Sequence, residues 1–518
     1  MKSFLLVLAG SFAFAPVALA ALPPAPTITV AATDIKQLQF DISPVTRANW
    51  YELWFKANPG APWVEFTRTR VQRPRIRINT SVHLLDWRQA RYYVKACNPS
   101  GCSQSNEVGV NGEQLAAIGY FKPQTPAADQ LYGGGFTLSE DGKTLAAVGM
   151  ETVNGVQHVA TIHVYRKTTA TSGWRHESRI VPSTVQPDLY GDDRLAISFD
   201  GNLIAFGNPD EDHDLVAGAP DTGAVYLFRH VSTGWKQTQK IAGENFFNDM
   251  FGVEVRLDGA GTTLVVGHNT SGGLARPGTL EVYRDLDDGN DQFVHADTLP
   301  IPPLGDWPFN SCKGMDVSDM GHIVRVCGNF PQPNFVQVFL PTAPSSLQYT
   351  ETARIEESRG EAVVIDSLGD RLIVQEGDEG IAFRHVATGW VSDGYLTFFS
   401  GAPDERRHMA LSSDGKIAAI GSRNDNFVGR GPLYPPYQSS DQMTGSVSVF
   451  ERLASGWTLR RIVKADSINL QLFGFTVDLA DRGRVLAVGA PGDRSKATGI
   501  DGNRNDASVQ GRGAIWLY

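Results

Sequence analysis

From residue 113 onward the chain alternates short apolar runs with turn residues, and five markers recur there in a fixed order. An aromatic-glycine pair comes first, as Tyr132-Gly133, Tyr190-Gly191, Phe251-Gly252 and Phe473-Gly474. A tight turn follows, as Asp141-Gly142, Asp200-Gly201, Asp258-Gly259 and Asp414-Gly415, with Asp319-Met320-Gly321, Leu368-Gly369 and Asp481-Arg482-Gly483 as looser copies. Asp-Gly between apolar runs predicts a hairpin, because glycine accepts the positive φ that a tight turn needs. The third marker is an apolar run closing on glycine, for example Ile204 to Gly207 and Val485 to Gly489. The fourth is an alternating run closing on an aromatic residue, for example Val225 to Phe228 and Val447 to Phe450. The fifth is Gly-Trp opening one more strand, at Gly173-Trp174, Gly234-Trp235, Gly389-Trp390 and Gly456-Trp457.

Each unit is therefore predicted to be four short antiparallel strands, and seven turns predict seven units. A lone four-stranded sheet cannot bury both faces, so the units must pack on one another in a ring. The expected fold is all-β: a seven-bladed β-propeller over 113–518, its Gly-Trp tryptophans packed between neighbouring sheets. The last unit stops at Ala514 to Tyr518, its third strand. Glu113 to Lys122, whose Leu115-Ala116-Ala117-Ile118 matches Arg460-Arg461-Ile462-Val463, is expected to supply the fourth. The N- and C-terminal strands would then close the last blade and leave no open edge.

Ahead of the repeats, 21–112 carries short strands of period two, such as Gln37 to Ile42, Trp50 to Lys56 and Tyr92 to Cys97, and predicts a β-sandwich. The Tyr92-x-Val94-x-Ala96-x-Asn98 run and Ser105-Asn106-Glu107-Val108 resemble a fibronectin type III domain, a module that implies spacing or adhesion. In the repeats, Phe473-Gly474 followed by Gly489-Ala490-Pro491 resembles the FG-GAP repeat of integrin alpha-chain propellers and many exported bacterial proteins. That resemblance implies a propeller over 113–518. The family's calcium loops lie between the first two strands, where this chain has only tight turns such as Ser139-Glu140-Asp141-Gly142.

The first twenty residues read as a signal peptide: Lys2, an apolar run to Val17, and the small-x-small site Ala18-Leu19-Ala20. No later run is long and apolar enough for a transmembrane helix. A secreted or periplasmic location follows, and with it an oxidising environment. Cys97 and Cys102 flank a turn, and Cys312 and Cys327 flank a hairpin, so each pair is expected to form a disulfide. A net charge of −10 argues against a nucleic-acid partner.

Chemistry is sparse. Asp501, Asn503, Asn505 and Asp506 alternate oxygen ligands in one loop and could hold calcium, although Asx turns explain the same pattern. Asp210 to Asp214 and Asp285 to Asp291 are looser acidic runs. No metalloprotease histidine spacing and no Gly-x-Ser-x-Gly elbow occur. The expected function is a non-catalytic binding or adhesion protein with a protein or carbohydrate ligand at the cell surface or in the periplasm. The alternative is a propeller lyase or hydrolase acting on polysaccharide, which would need ionisable groups converging on the ring axis. Long connections at 208–222, 423–444 and 490–513 point to the ligand face, with Arg430, Tyr434 and Tyr437 as contacts.

Overall fold

The computed structural model describes the chain except residues 1–20, 71–73, 85–88, 125–130, 170–171, 189–193, 213–221, 244–248, 269–278, 287–290, 300–310, 329–333, 344–345, 357–359, 361, 399–407, 426–430, 434–443, 466–471, 507 and 509–511. The chain divides into two compact units, one of Met1–Ala31, Leu38–Ile78 and Asp86–Glu113, the other of Ala32–Gln37, Asn79–Leu85 and Gln114–Tyr518.

The N-terminal strands form two sheets. One runs Ile28–Asp34, Gln37–Ile42, Arg75–Asn79; the other runs Val64–Arg70, Trp50–Lys56, Arg91–Asn98, Gly101–Gln104. Phe40, Tyr51, Leu53, Tyr92 and Val94 are buried, with the Phe40 and Tyr92 rings 5.0 Å apart. Period-two alternation puts these apolar side chains on one face of each strand.

The remaining strands form antiparallel sheets, here lettered A to G, each starting on a short inner strand. The inner strands are Phe136–Leu138, Leu195–Ile197, Glu254–Leu257, Ser311–Val317, Ala362–Ile365, Met409–Leu411 and Val477–Ala480. Each lies beside the next, and Val477–Ala480 returns to lie beside Phe136–Leu138. Second strands such as Leu203–Asn208 and Val485–Ala490 are buried along their whole length, because neighbouring sheets cover both faces. In sheets A to F the third strand meets the fourth with a β-bulge just before the aromatic marker, for example between Leu227 and Phe228. Bulges increase twist, which suits a sheet fanning outward from its inner strand. Trp235, Trp390 and Trp457 pack into clusters that join neighbouring sheets, as the sequence predicts.

In sheets A to F the turns are four-residue units whose fourth residue is a glycine of positive φ: Gly142, Gly201, Gly261, Gly321, Gly369 and Gly415; in sheet G the turn runs from Asp481 to Arg484, with Gly483 third. This corrects the reading of Asp258-Gly259 as the third turn. Asp258 holds the first position, taken by serine in sheets A, B, D and F, and its Oδ1 accepts from Thr262 N at 2.6 Å.

The aromatic-glycine marker stitches sheets together. Tyr132, Phe251 and Phe473 bridge in parallel to Gly513, Gly223 and Gly445, the residues that lead into the third strand of the preceding sheet. A Cβ on Gly513 would lie 1.8 Å from the Tyr132 carbonyl oxygen, and its φ is +69°, so only glycine fits. The G-to-A seam is thus built like the B-to-C and F-to-G seams.

Ring closure holds, with a correction in register. The fourth strand of sheet G is Gly119–Phe121, paired Ile515↔Phe121 and Trp516↔Tyr120. Phe121 takes the place Val463 has opposite Val447, so the match is three residues later than the sequence comparison placed it. The start of that expected strand, from Glu113, falls instead in a short helix, Asn111–Ala116. A second correction falls on sheet F, where Gly431–Leu433, expected as loop, adds a fifth strand outside Gly456–Lys464.

Candidate functional site

Counting back five residues from each turn glycine gives one position per sheet: Thr137, Ala196, Arg256, Asp316, Val364, Ala410 and Asp478. All of them line a single cavity of about 250 Å³. Sheets that succeed one another around one central cavity make a β-propeller.

Only three of these axial positions are ionisable, and they are already engaged. Asp316 Oδ1 accepts from Val317 N and Oδ2 accepts from Ile365 N of the next sheet, both at 2.9 Å, with Arg256 Nε 3.7 Å away. Asp478 Oδ1 accepts from Leu479 N at 2.8 Å, and Oδ2 accepts from Leu138 N at 2.7 Å and from Thr137 Oγ1 at 3.2 Å. Each carboxylate therefore staples its own inner strand to that of the following sheet. Burial pushes both up to about 6, against the pull of these donors.

The turn side of the cavity is laced shut by the turns themselves. Phe199 N donates to Gly259 O at 2.8 Å, Asp481 N to Glu140 O at 2.8 Å, and Arg482 N to Glu140 Oε1 at 2.9 Å. Burial raises Glu140 and Asp319 above the usual carboxylate range.

At the opposite end of the inner strands stands a small cluster that sequence reasoning missed. The His408 and Phe475 rings stack 6.3 Å apart, and the Arg423 guanidinium lies 5.2 Å over Phe475. All three are half-buried. A signal existed: Phe475 follows Phe473-Gly474 where the other copies have Gly134, Asp192 and Val253. Arg430, Tyr434 and Tyr437, the contacts expected from sequence, lie outside the described residues.

Of the expected calcium ligands, Asp501, Asn503 and Asp506 are each engaged elsewhere. Asp501 Oδ1 accepts from Tyr120 N at 2.9 Å and lies 3.7 Å from Arg504. Asn503 Oδ1 accepts from Asn505 N at 3.2 Å, while Asp506 accepts from Ser508 N at 2.9 Å and faces Lys496 at 3.7 Å. Burial raises Asp501, and the Ser508 hydrogen bond lowers Asp506. Among the described residues, one trio of His, Cys, Asp or Glu lies close enough to share a metal, Glu52 with Cys97 and Cys102, and its sulfurs are joined to each other. Cys312 and Cys327 form the second disulfide, at the register the sequence predicts.

The acidic run at 210–214 is only partly a surface feature. Glu211 is fully buried, accepts from the Tyr226 hydroxyl, and pairs with Lys240. The same arrangement recurs as Asp425 with Lys464 at 3.6 Å, and as Asp493 with Lys122 at 2.7 Å. Lys464 ends its fourth strand and Lys122 follows its own, while Lys240 lies inside Gly234–Ala242, two residues before the end. Burial lowers Lys464 and Lys122, opposed by the partner carboxylate.

No family model matches this chain, and no curated protein matches it. Among solved structures it is similar to the Dos1 propeller, at 10% identity over 95% of this chain and 92% of that one, with a TM-score of 0.41. It is also similar to a putative 6-phosphogluconolactonase from Bacteroides fragilis, at 11% identity over 82% and 98% of the two chains, TM-score 0.40. A third likeness is to Hsv2 of a Kluyveromyces yeast, at 12% identity over 70% and 90%, TM-score 0.38. The chain is a β-propeller protein, and among its described residues no helix is long and apolar enough to cross a membrane.

Proposed function

We propose that this chain is an exported, non-catalytic binding protein: residues 21–112 a fibronectin type III-like sandwich, and 113–518 a seven-bladed propeller of FG-GAP type. The two disulfides fit export. The reading rests chiefly on the axial ring, whose two aspartates are spent on backbone N–H groups of adjoining sheets. A general acid or base needs a lone pair or proton aimed at substrate, and these carboxylates are aimed at backbone N–H groups instead.

The ligand is a protein or carbohydrate and meets the face carrying the long connections of sheets F and G. Arg423, Phe475 and His408 sit on that side. A flat ring beside a guanidinium suits stacking on a sugar or an aromatic side chain. An array of glycans and proteins probed with the full chain and with Phe475→Ala tests this. Loss of the bound signal in the variant is expected. Turnover of a polysaccharide that disappears in Asp478→Asn would replace this reading with the enzymatic one.

A further inference from the structure

The N-terminal unit is charged oppositely to the rest of the chain. Residues 21–112 hold eleven Lys and Arg against six Asp and Glu, a balance of +5, whereas the whole chain stands at −10. Much of the excess falls on two strands at the edges of their sheets. Val64–Arg70 is an outer strand of one sheet and Arg75–Asn79 of the other. A groove of about 740 Å³ runs along them, lined in part by Arg68, Arg75 and Arg77.

Exposure along Val64–Arg70 alternates strictly, and the exposed set is Val64, Phe66, Arg68 and Arg70. Val64 is 55% and Phe66 50% exposed. Proteins usually blunt an edge strand with charge, proline or a bulge, and keep large apolar side chains off it. Here half of the edge is charged and half is apolar. Among the described residues no strand pairs with the outer side of Val64–Arg70.

We propose that Val64–Arg70 takes up an extended acidic peptide as an added strand. The open edge supplies backbone donors and acceptors, and the shared period of two sets the register. Acidic side chains at alternate positions meet Arg68 and Arg70 as cross-strand pairs, while apolar ones at the next alternate positions cover Phe66 and Val64. Arg68 now contacts Glu65 at 2.9 Å and the buried Glu52 at 3.7 Å, while its own side chain stays 60% exposed and within reach of an incoming carboxylate. Arg75, beside Asp41, and Arg77, donating to Gln39, add positive potential across the groove. A polysaccharide polyanion matches the charge but offers neither a strand backbone nor apolar side chains at that spacing.

The test is fluorescence anisotropy of the full chain against a labelled octapeptide: two glutamates alternating with threonine, then two valines alternating with threonine. Two N-methylated versions block either alternate set of its amides. Binding is expected, weakened at least about tenfold by Arg68→Glu with Arg70→Glu, and by one methylated set but not the other. Phe66→Lys provides a second variant with the same expected loss. Binding indifferent to both methylated sets, a scrambled peptide binding equally well, full displacement by an acidic polysaccharide, or no binding would each overturn the proposal.

Discussion

Sheets B, F and G leave their second strands into long connections, whereas sheet A turns back through Asn154-Gly155 and sheet E through Gly377-Asp378. The two kinds of sheet fasten their upper ends differently. In B, F and G the backbone oxygen of Glu211, Asp425 or Asp493 accepts from Gly223, Gly445 or Gly513 N, closing the base of the loop. The side chain of the same acid reaches a lysine in the fourth strand or just after it. In sheet A, Glu151 Oε1 instead meets His163 Nε2 at 2.9 Å, its other oxygen accepts from Arg179, and His163 Nδ1 lies 3.3 Å from His176 Nε2. A tight hairpin is held by its own ladder. A long connection is not, and an acid that ties both the loop base and the outer strand replaces the missing ladder.

The comparison breaks most sharply at Asp493. Its carboxylate accepts from the Tyr120 hydroxyl and Lys122 Nζ, each at 2.7 Å, and both ionic side chains are fully buried. Asp493→Ala leaves a buried ammonium unpaired and is expected to cost about 3–5 kcal/mol in chemical denaturation. Replacing both partners, Lys122→Met with Asp493→Leu, should recover most of that loss, since the pair stabilises little beyond its own burial. If the single and double variants lose equally, the clamp works through the Lys122 bond to Gly513 O instead.

Why the clamps escaped the sequence reading is instructive. Strands, turns and ring closure were legible because they repeat, and because period two and turn glycines are local. The clamps join an acid in a loop to a lysine across two strands, and for Asp493 the lysine lies 371 residues away. Asp258-Gly259 misled for a related reason: the turn is defined by where the positive-φ glycine falls, and an adjacent Gly-Ala-Gly offers two choices. Phe475 was visible as an odd residue in its column, but only the fold brings Arg423 and His408 to it.

The disulfides give the next contrast. Cys312 and Cys327 are 15 residues apart and lie across the first and second strands of sheet D; Cys97 and Cys102 are 5 apart in one hairpin. Chain-entropy reasoning gives about 3 kcal/mol for the longer loop and about 2 kcal/mol for the shorter. Paired serine substitutions, followed by thermal melts, should rank them in that order. The reverse ranking would show that the hairpin at 97–102 is held mainly by its cross-link. Intact-mass measurement of the protein should find no free thiol.

A smaller effect separates the two kinds of sheet by pH. Burial lowers His176 below its ordinary value of 6.5. Below that pH the unfolded chain takes up more protons than the folded one, so stability falls as pH drops through the folded value. Asp316 and Asp478 work in the opposite sense. Their folded values of about 6 exceed 3.8, so their contribution is present below 3.8 and lost as pH rises through about 6. His176→Phe should therefore raise stability at about pH 5.5 relative to about pH 7, by no more than about 1 kcal/mol against the unsubstituted protein. An unchanged pH profile would show that the Glu151 cluster is insensitive to His176.

Calcium is expected to have the smallest effect, at the end of the longest connection. Ligation at Asp501, Asn503, Asn505 and Asp506 would have to displace hydrogen bonds from Tyr120, Asn505 and Ser508 N, with Arg504 and Lys496 already beside the two carboxylates. A cation that binds only the folded state stabilises by RT ln(1 + [L]/Kd), which vanishes unless Kd lies below the free concentration. Melts in millimolar calcium and in chelator should differ by no more than about 1 °C. A rise of several degrees, abolished by Asp506→Asn, would mean that the loop rearranges around the ion, and that sheet G has a second tether besides Asp493.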